Sequence, residues 1–224
     1  MLVVHHLNNS RSQRVLWLLE ELGVPYEIRK YERNAQTMLV PPELQKVHPL
    51  GKSPVITDGD VTVAESGAII EYLVERYGNG RFSPAIGTPE RLRWRYWMHF
   101  AEGSAMPPLL LKLIFDKVES SPMPFFVKPI ARAISGKVKA MMVTPNLNRQ
   151  LDFMEGELAK SEWFVGNEFS AADVQMSFPI EAAPQRAGLD ASRPKLMGYL
   201  KRIHARPAYK KALERGGPYS FAND

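Results

Sequence analysis

The chain has 224 residues, 45% of them apolar and 24% charged, with a formal net charge of +5, the composition of an ordinary compact protein of one or two domains rather than a disordered or fibrous one. It contains no cysteine, which excludes disulfides, thiolate metal sites and Cys-X-X-Cys redox chemistry. No stretch approaches the roughly 18 uninterrupted apolar residues of a membrane span, and Met1–Val4 is too short an apolar start for a signal peptide, so the cytoplasm is expected and a membrane partner is not.

Charge is unevenly placed. Residues 1–83 carry nine Lys/Arg against ten Asp/Glu, whereas the remainder carries 20 against 14. A basic second half suits anionic substrates. The Lys201–Arg215 stretch lacks an aromatic-rich reader motif and reads as a solvated helix face, so nucleic acid is not an expected partner. Among the five histidines no metal-ligand spacing recurs, and no metal site is expected.

Taken in chain order, Leu2–His6 is a short β-rich run. Arg11–Leu22 places Val15, Leu18, Leu19 and Leu22 on one helical face, and Gly23-Val24-Pro25 ends it. Tyr26–Tyr31 reads as a second strand, which makes the first pair parallel. Asn34–Val47 is irregular with one short helix. Thr57–Val61, between Val55-Ile56 and Val63-Ala64, reads as a tight hairpin turn in which Asp58-Gly59 is expected to supply the positive φ angles of a type I′ connection. Ile69, Ile70, Leu73, Val74 and Tyr77 then recur at helical spacing behind a Ser66 cap.

Gly78–Pro89, rich in Gly, Pro and Ser, reads as a linker, and everything after it as helix. Glu90–Phe115 is long and aromatic-rich, with a bend expected at Pro107-Pro108. Ser120–Pro129 is a break. Ile130–Lys160 returns to helix, interrupted near Thr144-Pro145. Ser170-Ala171-Ala172-Asp173 has the spacing of a capping box, with Phe169 and Val174 as its hydrophobic staple. Short helices from Lys195 and Pro207 finish the chain.

Two polar features fall at the same end of the small sheet. Ser53-Pro54 enters the third strand, and an X-Pro bond is the peptide bond for which cis is cheap; in that form the Ser53 main chain faces outward to pair with an extended peptide. Glu65-Ser66 opens a helix whose free N–H groups and partial positive charge suit a carboxylate, while Glu65 suits an ammonium. A ligand with a peptide backbone and both groups at one end is a γ-glutamyl peptide such as glutathione.

The residues Pro49-Leu50-Gly51-Lys52-Ser53-Pro54, Glu65-Ser66 and Ser170-x-x-Asp173 together resemble the cytosolic glutathione transferases over nearly the whole chain. The start, Ser10-Arg11-Ser12-Gln13-Arg14, resembles the serine-type, theta-like branch of bacteria and fungi. That resemblance implies a thioredoxin-like α/β domain over 1–77, a linker over 78–89 and an all-helical substrate domain over 90–224. It also implies a homodimer with no cofactor beyond glutathione as co-substrate.

By the same resemblance, Ser10 is the expected hydrogen-bond donor to the glutathione thiolate, with Ser12 and Asn9 as alternatives and Arg11 setting the local field. Lys52 would meet the glycine carboxylate, Ser53 and Pro54 the cysteinyl unit, and Glu65 with Ser66 the γ-glutamyl end. The family's histidine before the Asn-Pro pair falls near Leu39 here, and His48 replaces the asparagine. Tyr96, Phe100 and Met106 are expected at the electrophile pocket, and Glu102 and Ser104 at the partner subunit. The expected activity is conjugation of hydrophobic electrophiles, with peroxide reduction besides. A non-catalytic interaction module and a glutathione-dependent isomerase or dehalogenase stand as alternatives.

Overall fold

The computed structural model describes residues 1–34, 37 and 39–222; Ala35, Gln36 and Met38, within the irregular segment expected from sequence, lie outside the described residues, as do Asn223 and Asp224. The first half contains β1 (Leu2–Leu7), α1 (Ser12–Leu22), β2 (Glu27–Tyr31), α2 (Pro42–Val47), β3 (Val55–Asp58), β4 (Val61–Ala64) and α3 (Ser66–Tyr77). The strands form one sheet in the order β2-β1-β3-β4. The β1–β2 pair is parallel and the other two pairs are antiparallel.

Local chemistry accounts for these elements. Helix α1 stops at Gly23, whose φ of 71° is the left-handed conformation that glycine takes without a Cβ penalty, and its N–H bonds back to Leu19 and Glu20. The hairpin departs from the expected turn. Asp58 pairs with Val61 across the sheet, so Gly59 and Asp60 are the two loop residues. Only Gly59 has a positive φ, 59°, the pattern of a type II′ turn. Asp58 is held in the strand because its carboxylate accepts hydrogen bonds from the hydroxyls of Tyr72 (2.9 Å) and Tyr77.

The second half is helical: α4 (Pro89–Phe100), α5 (Met106–Ser120), α6 (Lys128–Val138), α7 (Thr144–Leu158), α8 (Ala171–Ala187), α9 (Pro194–Ala205) and α10 (Pro207–Gly216). Single π-helical turns, Ala101–Ala105 and Lys139–Val143, join α4 to α5 and α6 to α7. Each lies directly upstream of the prolines expected to bend these helices, Pro107-Pro108 and Pro145. A proline has no N–H and its ring crowds the carbonyl four residues back. Lengthening the preceding turn, with Met106 N–H bonding Ala101 O and Thr144 N–H bonding Lys139 O, relieves that clash without ending the helix.

The main apolar core is continuous between the halves. Trp17 of α1 is fully buried and packs its ring against Phe169 at 5.4 Å and Tyr209 at 5.3 Å. On the same face of α1, Glu21 accepts from Trp17 Nε1 (2.8 Å) and takes a two-pronged contact from Arg206 (2.5 and 2.9 Å), and the adjacent Glu20 meets Arg215 at 2.7 Å. The end of α10 lies so close on α1 that a Cβ at Gly216 would stand 2.6 Å from Gln13 Oε1 and 3.0 Å from Leu16 Cδ1. Helix α8 runs through the middle, with every residue from Ala171 to Ala183 buried.

Candidate functional site

A cleft opens where the ends of β3 and β4 meet the start of α1 and the first π turn. Lys52, Ser53, Pro54, Glu65 and Ser66 line it on one side, Arg11 and Glu102 on the other. Seven residues singled out from the sequence are thus brought together. His48 and Leu50 line it as well, and His48 carries the only sequence signal for its presence, the replacement of the asparagine before Pro49.

The local backbone explains the presentation of each group. The Ser53–Pro54 bond is cis, and the Ser53 hydroxyl donates to the His5 carbonyl at 3.0 Å, fixing the strand entry to the end of β1. Glu65, not Ser66, is the residue flanking α3, and Ser66 is its first helical residue. Glu65 has φ 71° and ψ 125°, a sparsely populated conformation for a residue with a side chain, costing about 1–3 kcal/mol and typical of ligand clamps. It leaves the first N–H groups of α3 facing the cleft beside an exposed carboxylate.

The loop before α1 is a hydrogen-bonded chain. Ser10 Oγ and Ser12 Oγ are 2.7 Å apart, and Ser12 Oγ lies 2.8 Å from His6 Nδ1. Leu7 N–H donates to Ser12 Oγ at 3.2 Å, and Ser12 N–H to Ser10 Oγ at 3.2 Å. All three side chains are buried. Burial, with the Lys30 charge adding to it, pushes the His6 imidazole down to about 4, so the ring is neutral near pH 7. A neutral imidazole has one N–H; with the ring hydrogen-bonded to the Gly216 backbone through its other nitrogen, Nδ1 accepts from Ser12. Ser12 then accepts from Ser10. The Ser10 hydrogen therefore points inward, toward Ser12.

None of Asn9, Ser10 and Ser12 lines the cleft; of that loop, Arg11 does. Asn9 is committed elsewhere, its Oδ1 accepting from Ser220 N–H at 2.8 Å and Ser220 Oγ at 3.0 Å. Glu102, expected at the partner subunit, makes its contacts within the described residues to Arg11, 3.2 Å from Nε, and to Arg14. The pairing is electrostatic: Arg14 is 2% exposed, donates otherwise, among the described residues, only to the Gln175 carbonyl, and needs a counter-charge.

The candidate pocket residues are separated. Tyr96 and Phe100, their rings 5.7 Å apart, line a depression on the outer face of α4 together with Ser104 and away from the cleft. Met106 is instead buried with Phe178, Tyr219 and Phe221 in a second apolar cluster. In that cluster Phe178 packs against the cleft residue Arg11, whose guanidinium sits over its ring at 5.5 Å, with Arg14 at 5.9 Å. Sequence reasoning did not single out His6, Phe178, Tyr219 or Phe221; the aromatic run Tyr219-Ser220-Phe221 was the available signal.

Residues 1–75 match the glutathione S-transferase N-terminal domain, and residues 118–207 its C-terminal domain. The chain is 38% identical to glutathione S-transferase 3 of Schizosaccharomyces pombe over 96% of its own length and 88% of that protein's. It belongs to the glutathione S-transferase family. Glutathione S-transferase 1 of Saccharomyces cerevisiae is 34% identical, with 95% of this chain and 94% of that protein covered. The crystal structure of a glutathione S-transferase from Actinobacillus pleuropneumoniae superposes with a TM-score of 0.80 at 33% identity, covering 100% of this chain and 97% of that one. The thioredoxin-like domain followed by an all-helical one is accordingly the transferase architecture, and the enzyme is a glutathione transferase.

Proposed function

We propose that this transferase holds glutathione in the cleft between Glu65–Ser66 and Arg11 and adds its sulfur to hydrophobic electrophiles. The observation that carries the reading is the convergence of Lys52, Ser53, Glu65 and Ser66 on one cleft whose far wall bears Arg11. The γ-glutamyl carboxylate takes the N–H groups opening α3, and its ammonium takes Glu65. The cysteinyl unit runs along the Ser53 main chain, beside Pro54, and the glycine carboxylate meets Lys52 with His48 beside it.

A thiol with an ordinary pKa of about 8.5 is mostly protonated at neutral pH, and lowering that value by about two units takes roughly 2.7 kcal/mol. Ser10 supplies part of this by turning its hydrogen from Ser12 to the sulfur, a move that costs about one net hydrogen bond, ~1 kcal/mol. The Arg11 charge supplies more. The thiolate then forms a carbon–sulfur bond as the leaving group departs with its electron pair. On an organic hydroperoxide the same thiolate attacks the O–O bond and releases the alcohol, and a second glutathione converts the sulfenic product to disulfide and water. Apolar substrates approach along Phe178 and Met106. A cytoplasmic, two-fold homodimer built on the outer face of α4, with Ser104 toward the partner subunit, is the assembly this reading favours.

Two measurements test it. The protein is expected to be retained on immobilised glutathione, and Ser66→Ala to weaken retention without altering the fold. Flow-through of the parent protein would instead favour the non-catalytic interaction module. Ser10→Ala should lower turnover with a test electrophile about ten- to a hundredfold while leaving retention nearly unchanged. Thiolate absorbance of the bound glutathione against pH reads the cause directly: an unshifted titration in Ser10→Ala and a shifted one in Ser12→Ala or Arg11→Ala would move the role to that neighbour. Activity confined to isomerisation or dehalogenation across an electrophile panel would replace conjugation with those reactions.

A further inference from the structure

The hairpin formed by α5 and α6 is unlike the rest of the surface. Of the 19 large apolar side chains exposed on the described residues, 11 lie between Leu110 and Met142. They run along exposed helical faces, Ile114 and Val118 on α5, Ile130 and Ile134 on α6, four residues apart in each case. At the tip stand Phe125 and Phe126, 86% and 64% exposed, with their rings edge to face at 5.5 Å. The tip is ordered by bonds from Val127 N–H (3.0 Å) and Lys128 N–H (3.3 Å) to Pro124 O. Exposed patches of this extent mark a surface that another phase or molecule covers.

Charge identifies what covers it. Residues 106–143 hold six Lys/Arg and two Asp/Glu. Both acids are consumed inside the hairpin: Asp116 by Lys112 (2.6 Å) and Lys139 (2.8 Å), Glu119 by Lys139 (2.8 Å). Lys117, Lys128, Arg132 and Lys137 are exposed and have no carboxylate partner among the described residues. Lys117 and Lys137 each follow an exposed isoleucine, Ile114 and Ile134, by three residues and so share its helical face. A second copy of this chain meeting the patch across a two-fold axis would bring these cations against themselves. An anionic lipid surface would neutralise them and bury the rings between them.

We propose that the α5–α6 tip docks on anionic membrane surfaces, inserting Phe125 and Phe126 among the acyl chains and setting the four cations on the headgroups. This is a surface contact, compatible with the finding that no helix among the described residues is long and apolar enough to cross a membrane. It brings the enzyme to the phase in which hydrophobic electrophiles concentrate, and in that respect it rests on the proposed function; the docking itself does not.

The test is co-sedimentation of the whole protein with vesicles of phosphatidylcholine containing about one-third phosphatidylserine, against pure phosphatidylcholine. The expected result is sedimentation with the anionic vesicles that weakens as salt is raised. Phe125→Ser/Phe126→Ser and Lys128→Glu/Arg132→Glu should each lower partitioning by about tenfold or more while retention on immobilised glutathione is unchanged. Absence of the parent from the anionic vesicle pellet at low salt overturns the proposal. So does equal sedimentation of parent and Phe125→Ser/Phe126→Ser. A concentration-dependent rise in mass without vesicles, abolished by the same phenylalanine variant, would assign the patch to a second copy of the chain. Loss of glutathione retention in the parent would sink the proposed function and leave the vesicle result to stand alone.

Discussion

Glu102→Ala is expected to lower the stability of the fold by about 3–5 kcal/mol, because it removes the carboxylate that faces a buried guanidinium. Arg14 is 2% exposed, and apart from Glu102 its recorded partner is the Gln175 carbonyl. Without Glu102 the cation is left in a low-dielectric interior with one neutral acceptor, and neighbouring Arg11 adds like-charge repulsion. Glu102→Gln keeps an oxygen for Arg14 and should cost less. The decisive comparison is a double variant: Arg14→Met with Glu102→Leu removes both charges and should recover much of the loss. Denaturant midpoints measure all three. A parental midpoint for Glu102→Ala would show that water or Arg11 rearrangement satisfies Arg14 without it.

Asp173→Ala is expected to cost about 2–4 kcal/mol, more than an exposed helix cap, whose loss costs typically ~1 kcal/mol. The carboxylate is fully buried and accepts from Phe164 N–H (2.9 Å), Ser170 N–H (2.9 Å) and Ser170 Oγ (3.1 Å). Truncation strands two buried backbone donors at once. The same site predicts a pH dependence. Burial pushes the Asp173 carboxyl up to about 6 from 3.8, against the pull of its donors. Because the folded-state value is raised, the protonated form is the one folding favours. The contribution is present in full below about 3.8 and is lost as pH rises through about 6. The stability of the parent relative to Asp173→Asn should therefore fall between pH 4 and 6, by roughly 3 kcal/mol. A flat difference across that range would mean that the three donors hold the carboxylate ionised throughout.

What was legible in the sequence is what local chemistry decides. The left-handed stop at Gly23, the cis Ser53–Pro54 bond and the opening of α8 at Ala171 each depend on residues within a few positions of one another. The hairpin turn was misassigned because Asp58 is held by hydroxyls 14 and 19 residues away. The Arg14–Glu102 pair is illegible for a similar reason: the two residues are 88 positions apart, and helical spacing alone cannot say that a buried cation waits there. Tyr96, Phe100 and Met106 share one long helical stretch, yet the π turn between them rotates Met106 toward the second cluster. Phe178 could not be singled out because α8 is buried on every side around it, so no face stands out from its pattern.

The wedging of α1 between the halves bears on how the molecule comes apart. One face of that helix supports the sheet and the opposite one supports α8 and α10, so the apolar cluster that includes Leu2, Val4 and Ile70 also includes Ile180 and Tyr209. Melting the first domain would strip the helical one of Trp17 and of the anchors Glu20 and Glu21, and melting the helical one would strip α1 of Tyr209, Arg206 and Arg215. The two domains are thus one thermodynamic unit, lost in a single cooperative step, so a ligand gripped by one of them raises the stability of both.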